Sequence, residues 1–467
     1  MEKYDVVIIG AGPAGIFTAL ELSELGGGQS VLIVDSGKKI ANRACPARAT
    51  GKCAGCAHCS ITSGWAGAGA FSDGKLSLSE DVGGNLVDYV GREGAQSLIR
   101  YTDGIYMRFG ALDTVYGLDD RKVEDILYKA SKYNIRLIPC PVRHMGTELA
   151  FGVLRRMYQY LETKPWFEFR ELTEALSVER RGDTLTVSLR GPSGEIYETG
   201  AAAVVAAPGR SGAGWLKGLA DTHGIGVENN EVDIGVRVET PNAVMDHLTK
   251  HLYEAKLVYY SDTFESKVRT FCMNPGGIVS EEHHDGGIAI VNGHSYANEA
   301  FRTRNTNFAL LVSTHFTQPF NQPIEYGKYI ASLGNMLTGG GIMIQRLGDL
   351  LSGRRTDRSR LNKSTTVPTL ESAIPGDLSF VLPHRHLTSI IESLAAFDKL
   401  APGLYSKNTL LYGVEVKFYS SRLDVDNNMR TKIPGLYAIG DGAGITRGLM
   451  QASATGVVVA RDISSRT

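Results

Sequence analysis

The chain opens with an uninterrupted apolar run, Val6-Val7-Ile8-Ile9, that stops at a glycine-rich turn. Apolar residues then recur at helical spacing, and a second apolar run over 31–34 ends in an acid, Asp35. A short unbroken run between turn signals marks a buried strand, and a 3.6-residue recurrence marks a helix. The pattern predicts a strand, an amphipathic helix and a second strand. Further buried runs over 201–207 and 436–439 each lead into a glycine turn, the second followed by a long helix from about Gly448. Residues 167–189 alternate apolar and polar side chains around Arg181-Gly182-Asp183, the signature of a β-hairpin. Helical spacing with charged faces covers 96–109 and 123–133. Strand-like runs at 232–239, 256–261, 267–273 and 286–293 indicate a mixed or antiparallel sheet, and 377–400 supplies a helix. The fold class is α/β.

The first turn reads Gly10-x-Gly12-x-x-Gly15, and each glycine has a mechanical task there. Gly10 lets the chain turn sharply off the strand, Gly12 lets backbone approach a pyrophosphate, and Gly15 lets helix and strand pack closely. Pro13 and Ala14 begin the helix, whose free N–H groups and positive dipole end suit phosphates. Asp35, twenty residues past Gly15 with Ser36 beside it, is placed to accept both hydroxyls of a ribose. This arrangement binds a dinucleotide.

At 467 residues the chain exceeds one compact core, so two connected domains are expected. A net charge of −1 leaves no electrostatic footprint for nucleic acid or an anionic membrane. No apolar run approaches the ~18 residues of a membrane helix. The first strand starts at Tyr4 and leaves no room for a signal peptide ahead of it, which points to the cytoplasm.

The far end of the chain indicates which dinucleotide. Gly440-Asp441-Gly442 sits where the 436–439 strand ends, and the helix beginning Leu449-Met450-Gln451 follows. An acid at a strand tip can bind a ribityl chain, and a helix N-terminus can face a flavin pyrimidine. The stretch resembles the second FAD-binding motif of the glutathione-reductase-like flavoproteins. That resemblance implies a Rossmann-like FAD-binding domain, with a parallel sheet, helices and a β-hairpin or meander, and an inserted α+β substrate domain. It also implies backbone contacts to the cofactor near Ala175 and at Gly209, where Ala-Pro-Gly departs from the more usual Ala-Thr-Gly. The FAD domain is accordingly assigned to 1–80, 136–222 and 400–467, a helical insertion to 81–135, and a substrate or cap domain to 223–399. Aromatic-ring hydroxylases of this class carry an Asp-Gly pair near Pro208, and this chain has none.

Four of the six cysteines, Cys45, Cys53, Cys56 and Cys59, fall within fifteen residues. Such a loop suits a [4Fe-4S] cluster or tetrahedral zinc, with metal-free thiols as the third alternative. The C-x2-C-x2-C triplet favours the cluster, which could feed electrons to a flavin. Next comes a small-residue loop, SITSGWAGAGAFSDGKL, whose Gly69 and Ala70 let backbone run past a flavin. Ser72, Asp73 and Lys75 would stand near its reactive edge; a solvated Ser-Asp-Gly turn is the competing reading. His144, ahead of a helix, is a candidate acid or a cap. Lys417, in the alternating VEVKFYS, is a candidate on a strand. Arg302, Arg304 and Asn305 read as a solvated loop, and His283-His284-Asp285 as a surface turn.

Taken together, GxGPAG, the cysteine loop, AGAFSDGKL, VRHMGTE, GVRVE, FCMNPGG, GVEVKFYSSR and GDGAGITRGLMQASATG resemble the FAD-dependent dehydrogenases labelled NAD(FAD)-utilising dehydrogenases. The similarity spans nearly the whole chain. It implies an FAD-dependent oxidoreductase that moves hydride between flavin N5 and a small organic substrate. Electrons would come from an electron-donor protein or from NAD(P)H, although no second dinucleotide fingerprint is present. A flavin monooxygenase and an FAD-binding RNA-modification factor are the alternatives.

Overall fold

In a computed structural model the chain is described over residues 1–46, 54–56, 58–284, 287–296 and 298–466. It divides into two units, the first made of 1–113, 143–230 and 419–467, the second of 114–142 and 231–418.

The first unit begins with β1 (Glu2–Ile9), α1 (Pro13–Leu25) and β2 (Val31–Val34). It continues through α2 (Val87–Arg108) and α3 (Gly146–Glu162). The strands β3 (Phe167–Arg170), β4 (Glu174–Arg181), β5 (Thr184–Arg190) and β6 (Ile196–Ala206) follow. The sheet order is β3-β2-β1-β6-β5-β4. The β3, β2, β1 and β6 strands run parallel, with Ile9 opposite both Val34 and Ala206. β6 forks: its first half pairs antiparallel with β5, while Val204 to Ala206 pair parallel with the strand Leu436–Ala438. A glycine at 182, φ +64°, turns β4 into β5.

Two expectations are corrected in this unit. The hairpin starts at Glu174 and not at 167, because Phe167–Arg170 leaves the alternating run to extend the parallel sheet beside β2. Nor is α1 amphipathic: Ala14 to Leu22 are buried on every side. The C-terminal helix Leu449–Ser464 packs along it so closely that a Cβ at Gly456 would lie 2.3 Å from the Ala14 carbonyl oxygen. Glu21, buried within α1, is neutralised by Arg461 at 2.7 Å and accepts the Tyr101 hydroxyl at 2.6 Å.

The second unit is built on β7 (Val232–Pro241), β8 (Lys256–Tyr260), β9 (Lys267–Asn274), β10 (Asn305–Thr314), β11 (Met343–Arg346) and β12 (Leu410–Lys417). They form a mixed sheet in the order β11-β12-β7-β10-β9-β8, extended by short strands at Ile374–Pro375 and Arg136–Ile138. Only the contact between β11 and Ile374–Pro375 is parallel. The expected helix over 377–400 is present as His384–Asp398. The 286–293 run stays out of this sheet: Ile288–His294 pairs only with Ile278–His284 in a separate hairpin. His283 and His284 therefore end a strand and do not form a turn; Asp285 lies outside the described residues. Asn305 opens the central strand β10, so it is not loop either.

The segment 81–135 is no unit of its own. Its first helix, α2, belongs to the first unit, and the helix Asp120–Ser131 belongs to the second. Residues 400–418 likewise fall in the second unit, because β12 pairs with β7 there. Among the described residues, no helix is long and apolar enough to cross a membrane.

Candidate functional site

The two glycine turns of the first unit meet at the C-terminal ends of its parallel strands. Gly10 has φ +104°, and a Cβ there would lie 2.2 Å from the Ala207 carbonyl oxygen; one at Gly15 would lie 2.1 Å from the Gly10 oxygen. Internal packing alone demands these two glycines. Gly12 differs. Its φ is −74°, open to any residue, and a Cβ there would meet nothing within 4 Å. It caps α1 with no side-chain hydrogen bond, which leaves the first N–H groups of the helix without partners inside it.

The same arrangement recurs at the start of the C-terminal helix. Gly448 caps it with extended backbone, no side-chain cap and no atom within 4 Å of an added Cβ. Asp441 stands ahead of this helix start, and its Oδ1 accepts the Thr446 hydroxyl at 2.7 Å and the Gly448 N–H at 3.2 Å. Arg210 Nε approaches the other oxygen at 4.0 Å. A Cβ at Gly442 would lie 2.6 Å from the Gly209 carbonyl oxygen, and one at Gly440 would lie 3.1 Å from Ala14 Cβ. Gly69 closes the gap between the two helix starts, since a Cβ there would lie 2.8 Å from Leu449 Cδ2 and 3.4 Å from Pro13 Cγ. Ala70, the next residue, is buried.

Asp35 is held by the backbone. Its Oδ2 accepts the Ala11 N–H at 2.9 Å, and its Oδ1 accepts those of Gly37 at 2.8 Å and Gly64 at 2.7 Å. Two carboxylate oxygens offer about four lone-pair sites, so capacity remains for a further donor. Ser36, half-buried, follows it. The Thr173 N–H donates to the Asp35 carbonyl at 2.9 Å, which brings the start of β4, with Ala175, beside the acid.

The sequence patterns did not reveal Arg43 or the contact between Gly37 and Gly64. Buried Arg43 donates to the carbonyls of Ser60, Ile61 and Trp65, and so staples the small-residue loop behind Asp35. Burial pushes its guanidinium down to about 10, with Asp35 working against that shift. A Cβ at Gly37 would lie 2.3 Å from the Gly64 nitrogen. The signal was the glycine two residues past the acid.

The side chain of Gln451 is engaged away from the helix start. It accepts the Leu86 N–H at 3.2 Å and donates to the carbonyls of Glu80 and Val82. That amide tethers the 80–86 segment, so only backbone at Gln451 is left to face a ligand. Met450 is buried in the core and Leu449 half-buried.

Of the candidate catalytic residues, four lie in this unit. The Ser72 hydroxyl donates to the Gly69 carbonyl at 3.0 Å and accepts the Gly74 N–H at 3.2 Å, so it shapes the turn. Lys75 is half-buried rather than solvated, and pairs with Asp73 at 2.9 Å. The Gly74 carbonyl accepts the Met145 N–H at 3.1 Å, which sets buried His144 beside that turn. Lys417, at the end of β12 in the second unit, pairs with Glu415 at 2.9 Å. Cys45 is half-buried, Cys56 and Cys59 are exposed, and Cys53 lies outside the described residues. Among the described residues, no three His, Cys, Asp or Glu side chains gather where they could hold a metal ion.

Residues 231–418, essentially the second unit less its first segment, match the family described as FAD-dependent protein, C-terminal domain-like. An uncharacterized protein of Clostridium beijerinckii is 25% identical over 482 residues, covering 98% of this chain and 80% of that one. Among solved structures, glycine oxidase from Geobacillus kaustophilus aligns over 100% of this chain and 95% of its own, with TM-score 0.41 and 11% identity. The E. coli quinol fumarate reductase aligns over 100% and 71%, with TM-score 0.42 and 14% identity.

Proposed function

We propose that the chain is an FAD-dependent oxidoreductase acting on a small organic substrate. The observation that carries this reading is the pair of glycine caps, Gly12 and Gly448. Neither backbone conformation nor packing requires glycine at either position, yet both cap a helix start in one unit. A ligand that approaches backbone closely at both helix starts accounts for them. The match of 231–418 to FAD-dependent proteins supports the choice of dinucleotide.

The residues present fit FAD. Gly12, Pro13 and Ala14 would offer helix N–H groups to the diphosphate, Asp35 would accept the adenosine ribose hydroxyls, and Asp441 would accept from the ribityl chain. The helix start at Leu449 would face the pyrimidine edge of the flavin. When bound, FAD supplies a ring that takes up and returns electron pairs as hydride. The Asp73–Lys75 pair and His144 are the groups of this unit able to hold or move a proton next to the loop that carries Gly69.

A metal at the four-cysteine loop rests on sequence spacing alone. Metal and acid-labile sulfide analysis of anaerobically purified protein decides between its alternatives: about four irons with sulfide, one zinc without it, or neither. Mixing the oxidised protein with NADH or NADPH under anaerobic conditions, while following flavin absorbance, identifies or eliminates a nicotinamide donor. The reading as a whole is tested by denaturing the purified full chain and identifying the released cofactor. FAD near one per chain is expected; FMN, or no flavin after incubation with FAD, overturns it.

A further inference from the structure

Among the described residues of the first unit, six arginines are buried or half-buried: Arg43, Arg143, Arg170, Arg422, Arg430 and Arg447. Five of them spend their guanidinium on protein partners. Arg43 donates to three carbonyls. Arg143, Arg170, Arg422 and Arg430 meet Asp103, Glu168, Asp88 and Asp462 in that order, at 2.6 to 3.0 Å. Arg447 is the exception. Its side chain has neither a hydrogen bond nor a carboxylate within 4.0 Å among the described residues. What it has is a ring. The guanidinium carbon lies over Tyr419, 4.0 Å from the centroid, and that tyrosine is only 8% exposed.

Arg447 is fixed at its backbone and unspent at its tip. Its N–H donates to the Gly83 carbonyl at 2.8 Å. Thr446, just before it, is held by Asp441 at 2.7 Å and bridges to Gly84, where a Cβ would lie 2.6 Å from Thr446 Cα. Gly448, just after it, caps the C-terminal helix. Water satisfies an exposed arginine. A half-buried one loses part of that water, and each donor withdrawn needs a replacement. A guanidinium carries five N–H donors in one plane. With one face on a ring its edge remains, and two parallel N–H groups there match the two oxygens of a carboxylate. The acid nearest in sequence, Asp441, is engaged by Thr446 and Gly448 on one oxygen and faces Arg210 at 4.0 Å on the other. The groups proposed to hold FAD leave Arg447 without a task.

We infer that Arg447 binds the carboxylate of a small organic acid, with Tyr419 backing the guanidinium, and that the substrate of the chain belongs to this class. Calling the acid a substrate rests on the flavoprotein reading; its binding does not. Arg447 stands one residue before the Gly448 cap, so an acid held there is brought to the same helix start that would face the flavin.

The test follows modification of Arg447 in the full chain by phenylglyoxal, an arginine reagent, read by peptide mass spectrometry. Acetate is the probe, because it carries a carboxylate and almost nothing that a site could refuse. At matched ionic strength, acetate should slow the modification of Arg447 at least threefold relative to chloride, and acetamide should leave it unchanged. Exposed Arg100 and Arg155 should react at the same rate throughout. Tyr419→Leu should lessen the protection and Tyr419→Phe should retain it. Arg447→Gln should keep FAD near one per chain. Equal rates in acetate and chloride, protection by acetamide, or equal slowing at Arg100 overturns the carboxylate site. Loss of FAD from Arg447→Gln, with the wild type loaded, gives the arginine to the cofactor and overturns it too. The wild-type comparison stands even if a variant fails to fold. FAD released from the same sample reports separately: protection in a chain that binds no FAD keeps the site and ends the flavoprotein reading.

Discussion

Asp35 accepts the Ala11 N–H at 2.9 Å, so the acid that ends β2 is hydrogen-bonded into the middle of the glycine turn that ends β1. With the Gly37 and Gly64 N–H groups on its other oxygen, one carboxylate fixes three separate backbone segments. Asp35→Ala leaves those three donors without an acceptor and should lower stability by about 3 kcal/mol. Asp35→Asn keeps one carbonyl oxygen and should lose roughly half as much. Urea unfolding of both variants checks this; equal losses would mean that the acid acts through charge and not through its acceptor geometry.

The buried triad of Arg237, Glu415 and Lys417 in the second unit gives an asymmetric expectation. Burial pulls the Glu415 carboxyl upward, but Arg237 and then Lys417 outweigh it and hold the group below the usual carboxylate range. Its stabilising contribution is therefore complete above its unfolded pKa, near 4.3, and is lost as pH falls through the lower folded value. Glu415→Gln strands the buried Arg237 and should cost about 3–5 kcal/mol at pH 7. Lys417→Met leaves a matched pair and should cost under about 1 kcal/mol. Similar losses for the two variants would refute the shared-carboxylate account.

His386 supplies a second pH dependence at milder acidity. It is buried, its Nε2 lies 2.9 Å from the Thr314 hydroxyl, and burial, with Arg385 adding to it, pulls its pKa down to about 4. A folded pKa below the unfolded value near 6.5 means that the unfolded chain binds the proton first, so stability falls as pH drops below 6.5 and levels off below about 4. The loss between pH 7 and pH 5 should be about 2 kcal/mol. His386→Gln should remove that portion of the slope; a chevron or urea series at the two pH values reads it.

Much of this was legible because adjacent residues carry it. The Gly10, Gly12 and Gly15 spacing, Asp35 at a strand end and Asp441 at another are local patterns, and the strands they punctuate form where expected. What escaped was set by partners far along the chain. Phe167–Arg170 alternates like a hairpin arm, yet β2 recruits it as a parallel neighbour. The helix α1 has no exposed face because the C-terminal helix, more than four hundred residues away, covers it. Gln451 sits in a cofactor-like motif, but its amide is consumed by the 80–86 segment. Arg43 carries no motif at all, and only its three carbonyl partners reveal its task.

Asp441 offers a further check at the second helix start. Its Oδ1 holds both Thr446 and Gly448, so Asp441→Ala should loosen the approach to the C-terminal helix and lower FAD affinity at least tenfold. Equilibrium dialysis against FAD measures the loss, and Asp441→Asn, which keeps an acceptor oxygen, should recover part of it. Wild-type affinity in Asp441→Ala would remove this acid from the cofactor site.

The central claim is that Gly12 and Gly448 are glycines for the sake of a bound dinucleotide. Its most direct test is FAD affinity set beside apoprotein stability for Gly12→Ala, Gly448→Ala and Gly15→Ala. A Cβ at Gly15 collides with the Gly10 carbonyl, so that variant should lose stability and flavin together. At the two caps the added methyl meets open space, and the change from glycine to alanine should cost the apoprotein no more than about 1 kcal/mol. Both cap variants should keep the apoprotein melting temperature within a few degrees while binding FAD at least tenfold more weakly. Cap variants that bind FAD as tightly as the wild type would contradict the account.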